Sequence, residues 1–305
     1  MEPAPGRRAE SSSIDTKRTL AKRLAFAVAV LLLIGAVVVV WQQREMVSDA
    51  CAAVVAASPV VIALLFAAIV ANVVLTALMF NVLISRYGRV GIVEMQALIA
   101  GATLLNFLPL RPGLLGRVAY HRAANDIPPL DTARTIVQAL LLSAALGAYL
   151  ALVAMISVWL NLPLELGVVL PGPVLLLAAV RAPWRILCIA ALLRYLDLIV
   201  WAVRYWMVFD LIGAPIDHRT ALALACVSVI ANLVPFFSNG LGLREWAVGL
   251  LGPFLRQYPV QLGLTAELVN RAAEILVILI LGLAGLAWLA HTSRLKARAS
   301  MSQAG

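Results

Sequence analysis

The stretch Asn106-Phe-Leu-Pro109 leads to Gly113 and Arg117, and a matching stretch, Asn232-Leu-Val-Pro235, leads to Gly240, Gly242 and Arg244. Each copy follows one apolar segment and precedes another. A helix-breaking proline, glycines and an arginine are unfavourable in sequence that lies within a membrane. Because both halves of the chain carry this combination, we predict a duplicated element that binds or moves a ligand.

The composition is typical of an integral membrane protein. The chain has 305 residues, of which 63% are hydrophobic and 13% charged, and its mean hydropathy is +0.97. Soluble globular domains are far less apolar. We therefore expect an all-α polytopic protein with one membrane domain, residues 24–290, between a basic tail (1–23) and a second tail (291–305). A soluble catalytic domain is not expected.

The net charge of +9 is concentrated around the outermost apolar segments. Basic residues flank them on both sides: Arg7, Arg8, Lys17, Arg18, Lys22 and Arg23 before the first, and Arg294, Lys296 and Arg298 after the last. The positive-inside rule places such flanks in the cytoplasm. Both termini are therefore predicted to be cytoplasmic, in a multi-pass protein of the inner (plasma) membrane. Expected partners are membrane lipids and envelope-biosynthesis proteins, and nucleic acid is not expected.

Cysteine and histidine give no sign of a metal or cofactor site. Cys51, Cys188 and Cys226 form no C-x-x-C pair, and the three histidines lie far apart in the sequence. Neither pattern has the spacing of metal ligands. No cofactor is expected.

Hydropathy predicts six spans and two shorter apolar stretches. A crossing needs about 20 apolar residues. The candidate spans are Leu24–Trp41, Pro59–Ile84, Asp131–Leu160, Leu166–Val180, Ile186–Leu211 and Leu264–Ala290. The two shorter stretches, Val93–Leu110 and Thr220–Phe237, lead into the repeated motif.

Charge placement favours re-entrant segments over full crossings for these two stretches. If Val93–Leu110 crossed fully, the four arginines that follow it would lie outside, against the positive-inside rule: Arg111, Arg117, Arg122 and Arg134. If the chain breaks at Pro109 and returns, they stay inside. We predict six transmembrane helices plus two re-entrant segments, one from each side, in an inverted repeat of residues about 24–160 and 166–290. The alternative is eight transmembrane helices.

Each motif contains the parts of a broken helix and of an anion site. Proline ends the helix, and the amides of Asn106 and Asn232 are suited to the backbone groups left unpaired. Gly113, Gly240 and Gly242 permit a turn and a close approach, and Asn239 also tolerates a left-handed turn. A guanidinium binds phosphate or carboxylate through two parallel hydrogen bonds. The alternative is that these arginines only anchor the loops by snorkelling to the interface.

Two spans carry further charges. Arg271 and Glu274 are three residues apart, so they share a helix face and are spaced to pair. Arg194, Asp197, Trp201 and Arg204 form one helical stripe. Charges in mid-span usually face a bundle interior or an aqueous cavity. They are expected either to line a headgroup path or to pair with one another.

These residues resemble the membrane region of lysylphosphatidylglycerol synthases and related stand-alone flippase-like proteins. The first family motif, R-x-G-E-x-x-R, is matched at Arg111, Gly113 and Arg117, with Leu114 in place of glutamate. The second, P-x-S-x-G-G-x-G-x-R-E, has its matches at Pro235, Gly240, Gly242, Arg244 and Glu245, with Ser238 shifted and Asn239 in place of a glycine. Arg271 resembles the arginine that the family carries in its last span.

The resemblance implies a lipid-translocating protein without the aminoacyl-transfer domain, and therefore no lysyl-lipid synthesis. The expected cargo is an anionic phospholipid or a polyprenyl-type lipid. The predicted headgroup residues are Arg111, Arg117, Arg244, Glu245, Arg271, Arg194 and Asp197. We expect the more family-like site in the second half, which keeps the Arg244-Glu245 pair. The alternatives are an accessory or scaffold subunit and, with less support, a membrane-embedded lipid-linked transferase.

Overall fold

A computed structural model describes residues 56–108, 111–160, 165–180, 184–234 and 242–303, with residues 52, 163 and 240. Within these ranges the regular structure is helical. In chain order the helices are α1 (Pro59–Ile84), α2 (Ile92–Leu105), α3 (Pro112–Asn125), α4 (Pro129–Leu160), α5 (Glu165–Val169), α6 (Pro171–Ala179), α7 (Arg185–Leu211), α8 (His218–Leu233), α9 (Leu243–Leu255) and α10 (Val260–Gln303). The predicted tail 1–23 and the span Leu24–Trp41 lie outside the described residues, as do Pro109, Pro235 and Asn239.

Four of the described helices are long and apolar enough to cross a membrane: α1, α4, α7 and α10. This confirms an all-α membrane protein. The predicted span Pro59–Ile84 coincides with α1, and the spans that begin at Asp131, Ile186 and Leu264 begin within four residues of α4, α7 and α10. Prolines fix two of these starts: Pro59, beside the capping hydroxyl of Ser58, and Pro129.

The structure differs from prediction at two elements. Leu166–Val180 was predicted as one span interrupted by Pro171 and Pro173, and there the chain forms two helices, α5 and α6, of 5 and 9 residues. The chain therefore passes from the end of α4 to the start of α7 through two short helices and not through one long helix. At the other end, α10 continues to Gln303 past the predicted boundary at Ala290, because no glycine or proline interrupts residues 291–303.

Helices α2 and α3 form an antiparallel hairpin. At its base, near the end of α3, Tyr120 and Asn125 donate hydrogen bonds to Glu94, at the start of α2, over 2.9 and 3.0 Å. At its tip, Gly113 packs on Ala102 near the end of α2. The chain therefore returns along α3 to the level at which α2 began. This level is also that of the first turn of α4, since Gly88 packs against Ile127.

Helices α8 and α9 form a second hairpin at the opposite end of the bundle. Near its base, Arg219 at the start of α8 donates to the carbonyl oxygen of Ser157, in the last turn of α4, over 3.1 Å. Phe254, near the end of α9, lies against Trp159, also at the end of α4, with ring centroids 6.1 Å apart. Because α4 has 32 residues and a length of about 48 Å, its two ends separate the bases of the two hairpins.

Helices of one half of the chain pack against helices of the other half. The short helix α2 packs on α10 and α8 packs on α4, while α1 packs on α7. Glycines allow the α2–α10 contact: a Cβ at Gly285 would lie 2.6 Å from the carbonyl oxygen of Ala97. Small residues that bring backbones together are a usual source of helix association in lipid. Each hairpin is thus fixed by the last long helix of the other half.

Candidate functional site

The tips of the two hairpins meet through Arg111. Its Nη2 donates to the carbonyl oxygens of Asn232 and Val234, at 3.0 Å each. Helix α8 ends at Leu233, and the last carbonyls of a helix have no intrahelical donor. A residue of the first motif therefore caps the broken helix of the second. Sequence reasoning assigned Arg111 to a lipid headgroup, and the structure places its guanidinium on the other hairpin.

Each motif asparagine lies against the glycine of its own motif. A Cβ at Gly113 would lie 2.7 Å from Oδ1 of Asn106, and a Cβ at Gly240 would overlap Oδ1 of Asn232. Gly240 also has φ +69°, which favours glycine. Both Oδ1 atoms are buried and accept no hydrogen bond from any described residue. Close approach explains the glycines, and the use of the two amides to satisfy broken backbone stays a prediction.

A charge network lies next to the tips. It comprises four arginines and four carboxylates: Arg194, Arg204, Arg244, Arg271, Asp197, Glu245, Glu267 and Glu274. All of them except Arg194 are buried. The formal charges cancel, since four positive and four negative groups sum to zero. A charge in mid-membrane is stabilised by such pairing.

The stripe predicted on α7 faces this network. Arg194 pairs with Asp197, which accepts a hydrogen bond from Nδ2 of Asn72 over 2.7 Å. Arg204 donates to Oδ1 of the same Asn72 over 3.1 Å and stacks 4.1 Å above the ring of Trp201. Asn72 therefore links α1 to both charged ends of the stripe. The charged side chains of the stripe therefore pair with one another and with residues of other helices.

The second motif joins the network through α9. Arg244 pairs with Glu267, and its Nη2 lies 2.9 Å from Oε2 of Glu274. The neighbouring Glu245 accepts from Nε of Arg271 over 3.0 Å. Arg271 and Glu274 were predicted to share a face of α10, which would allow them to pair with each other. Instead their ion-pair partners at short distance come from other helices, because α9 and α7 bring opposite charges to the same face.

Sequence reasoning missed four contributors to the network. Besides Asn72, they are Tyr205, Glu267 and Asn270. Tyr205 donates to Glu267, and Asn270 accepts from Arg204 over 2.8 Å. Glu267, Asn270, Arg271 and Glu274 recur at intervals of three and four, so a polar face on α10 was readable from the sequence. Asn72 is a single amide in a long apolar helix and gave no comparable signal.

A small polar cavity adjoins the network. It has a volume of about 140 Å³ and is lined by residues of α1, α2, α7, α8 and α10. Its polar lining consists of Asn72, Thr76, Thr103, Arg194, Arg204, Asn232 and Glu274. Elements of both halves thus surround one polar space within the bundle.

Arg117 occupies a different place from the other predicted arginines. It holds the position in the first motif that Arg244 holds in the second, and each stacks on a ring of a long helix: Arg117 on Phe80 of α1 at 4.5 Å and Arg244 on Trp201 of α7 at 4.9 Å. Arg244 has two carboxylate partners, whereas Arg117 has no ion pair with any described residue. An arginine side chain stays protonated at neutral pH, so the group carries its charge.

Comparisons with known proteins add no relative: no family model, no curated protein and no solved structure matches this chain.

Proposed function

We propose that this protein is a flippase-like transporter that moves an anionic phospholipid or a polyprenyl-type lipid across the inner membrane. The observation that carries the proposal is the meeting of two hairpins, inserted from opposite ends of the bundle, beside one polar cavity. A polar space within an apolar helical bundle is suited to a headgroup, while the acyl or prenyl chain stays in lipid.

The proposed topology is an inverted repeat with two re-entrant hairpins. Helices α2 and α8, of 14 and 16 residues, rise only about 21 and 24 Å, which is less than a bilayer core of about 30 Å. Each is followed by a helix that returns to its starting level. Broken helices that meet at the interface of inverted repeats form the substrate sites of many transporters. With cytoplasmic termini, the first hairpin enters from the inside and the second from the outside.

The contacts of the motif residues support the resemblance to the membrane region of lysylphosphatidylglycerol synthases. Arg111 of the first motif caps the helix that leads into the second, and Arg244 and Glu245 both join the network with α10. Two short motifs that converge in space are consistent with one shared site. The charges of this network already cancel, so we propose that its contacts rearrange when the headgroup enters.

Movement of labelled lipid between the two leaflets of vesicles tests the proposal. The purified protein is reconstituted with fluorescent phospholipids and polyprenyl phosphates, and transbilayer movement is followed by quenching of the outer-leaflet label. We expect faster movement than in protein-free vesicles for at least one of these lipids. Thr76→Leu, which fills the cavity, should slow it. Val74→Leu, on the same helix but exposed, serves as the matched control and should not.

No acceleration over protein-free vesicles across the whole lipid panel would contradict transport. Equal rates for Thr76→Leu and Val74→Leu would place the path elsewhere.

An accessory or scaffold subunit is the second candidate, and the charge balance of the network favours it. Three of the four matched ion pairs join different helices, so they are suited to cross-linking the bundle permanently as well as to binding a ligand. The two candidates differ in which variants matter. A scaffold would retain function with Arg117→Ala and Arg244→Ala in folded protein and would lose it through changes at exposed positions.

A further inference from the structure

A second cavity, apart from the polar one, lies between α2, α3 and α10. Its volume is about 270 Å³. The wall is formed mainly by apolar side chains, among them Leu98, Leu105 and Leu286, and by the α3 face that carries Gly116 and Arg117. A space of this kind, apolar with a single cation, has the character of a site for an amphiphile.

Arg117 is the cation of this cavity, and no carboxylate among the described residues neutralises it. Its side chain is 8% exposed. Its Nε has no hydrogen-bond partner, and no described carboxylate lies within ion-pair distance. The face of Phe80 offsets part of the lost hydration through a cation–π contact. Burial of an uncompensated guanidinium is unfavourable, and an anion that enters the cavity would relieve it.

The equivalent arginine of the second motif, Arg244, has carboxylate partners that compensate its charge. Arg244 is fully buried and pairs with Glu267 and Glu274 of α10. In the first half, α4 takes the place of α10, and the single carboxylate in its sequence, Asp131, pairs with Arg134. The first half therefore repeats the arginine without its acids.

We infer that the cavity between α2, α3 and α10 binds the oxyanion of an amphiphile, a phosphate or carboxylate, on Arg117, with the hydrocarbon chain against the leucine wall. A guanidinium makes charge-assisted hydrogen bonds to either anion. This inference rests on the proposed lipid-handling function, since it names the headgroup chemistry and a binding place outside the central network. It shifts the anion site from the second half, where the sequence favoured it, to the first.

Binding to the purified full chain in a non-ionic detergent tests the inference without any transport. The probes are dodecyl phosphate, inorganic phosphate and dodecyltrimethylammonium, each titrated at one fixed detergent concentration. We expect saturable binding of dodecyl phosphate and little binding of the other two. Arg117→Gln should weaken the binding of dodecyl phosphate by about tenfold or more, the usual size of a lost charge-assisted hydrogen bond.

Gly116→Leu provides a second variant that keeps the arginine. A Cβ at Gly116 meets no atom within 4 Å and Gly116 lines the cavity, so a leucine there should occupy the cavity and block dodecyl phosphate. The matched control is Gly172→Leu, because a Cβ there also meets open space and Gly172 lies outside the cavity. It should bind as the wild-type protein does. Thermal unfolding of each variant verifies that it is folded.

Three results would overturn the inference: unchanged binding in folded Arg117→Gln and Gly116→Leu, equally tight binding of dodecyltrimethylammonium, or inorganic phosphate binding as tightly as dodecyl phosphate. The last would show that free phosphate, not a lipid, is the ligand.

The outcomes that contradict the proposed function are different from those that contradict this site. If dodecyl phosphate binds through Arg117 but no lipid moves in vesicles, transport is wrong and the site stands. If lipid moves but Arg117→Gln leaves the binding of dodecyl phosphate unchanged, only the site is wrong.

Discussion

Nη2 of Arg111, at the tip of the first hairpin, donates a hydrogen bond to the carbonyl oxygen of Asn232, at the tip of the second, over 3.0 Å. The same nitrogen reaches the carbonyl oxygen of Val234. The two residues are 121 positions apart in the chain and are brought together only by the insertion of the hairpins from opposite ends. One side chain therefore stabilises the helix end of one hairpin and fixes its position relative to the other hairpin.

Replacement of this arginine should destabilise the protein. Arg111→Gln removes a charged donor from two carbonyl groups, and hydrogen bonds to charged groups contribute about 1.5–3 kcal/mol each. We expect a loss in this range in the free energy of unfolding, measured by denaturant or thermal unfolding in detergent.

The matched control is Arg134→Gln. Arg134 also carries a guanidinium, but its pair with Asp131 is exposed (57% for the arginine side chain), and such pairs contribute about 0–1 kcal/mol. Similar losses for Arg111→Gln and Arg134→Gln would contradict the capping role of Arg111.

Alanine substitutions should show whether Gly113 is required for close packing at the hairpin tip or only for backbone flexibility. In Gly113→Ala the new methyl group would overlap the carbonyl oxygen of Ala102, which is backbone and cannot rotate away. Overpacking of this kind costs about 1–3 kcal/mol. Gly116→Ala, one turn later on the same helix, meets open space and should stabilise α3 by about 0.5–1 kcal/mol. If both variants unfold at the same temperature, the packing described at the tip is wrong.

The ion pair between Glu245 and Arg271 predicts a strong coupling. Loss of one partner leaves a buried charge unpaired and costs about 3–5 kcal/mol. Glu245→Gln and Arg271→Gln should therefore each destabilise the protein strongly. The double variant leaves neither charge and should lose much less than the sum of the two. A double-mutant cycle of unfolding free energies measures this coupling, and additive losses would show that the pair is not formed.

The environment of His121 predicts that the free energy of unfolding depends on pH. Burial lowers the pKa of His121 and the nearby charge of Arg117 lowers it further, while a hydrogen bond with Asn125 acts in the opposite direction. The folded protein then binds fewer protons here than the unfolded chain, whose histidine pKa is about 6.5. The stabilisation is present above that pH and is lost as the pH falls below it.

Unfolding at about pH 7.5 and about pH 5 should therefore differ more in the wild-type protein than in His121→Gln, because both pH values bracket the unfolded pKa of about 6.5. An unchanged difference in the variant would assign the pH dependence to other groups.

Cysteine labelling distinguishes re-entrant hairpins from eight full crossings. Ala123 and Gln257 are exposed near the bases of the two hairpins. In a background with Cys51, Cys188 and Cys226 replaced by alanine, Ala123→Cys and Gln257→Cys are each treated with a membrane-impermeant thiol reagent from one side. The re-entrant topology predicts labelling from opposite sides, with Ala123→Cys on the inside. Eight full crossings would place both on the outside.

The sequence by itself determined which segments are helical and which lie in the membrane. Length and apolarity suffice for α1, α4, α7 and α10, because a bilayer admits backbone only where its hydrogen bonds are satisfied locally. The repeated Asn, Pro, Gly and Arg marked the two breaks: α2 ends at Leu105, shortly before Pro109, and α8 ends at Leu233, shortly before Pro235. The interruption of Leu166–Val180 was also foreseeable from its two prolines.

Only the tertiary structure decided the partners of the charges. Helical periodicity placed Arg271 and Glu274 on one face, but which acid meets which arginine depends on α7 and α9, which are distant in sequence. Asn72 joined the network because α1 packs on α7, and a lone amide gives no periodic signal. Arg117 and Arg244 look alike in the two motifs. They differ because α10 brings carboxylates to one of them and α4 brings none to the other.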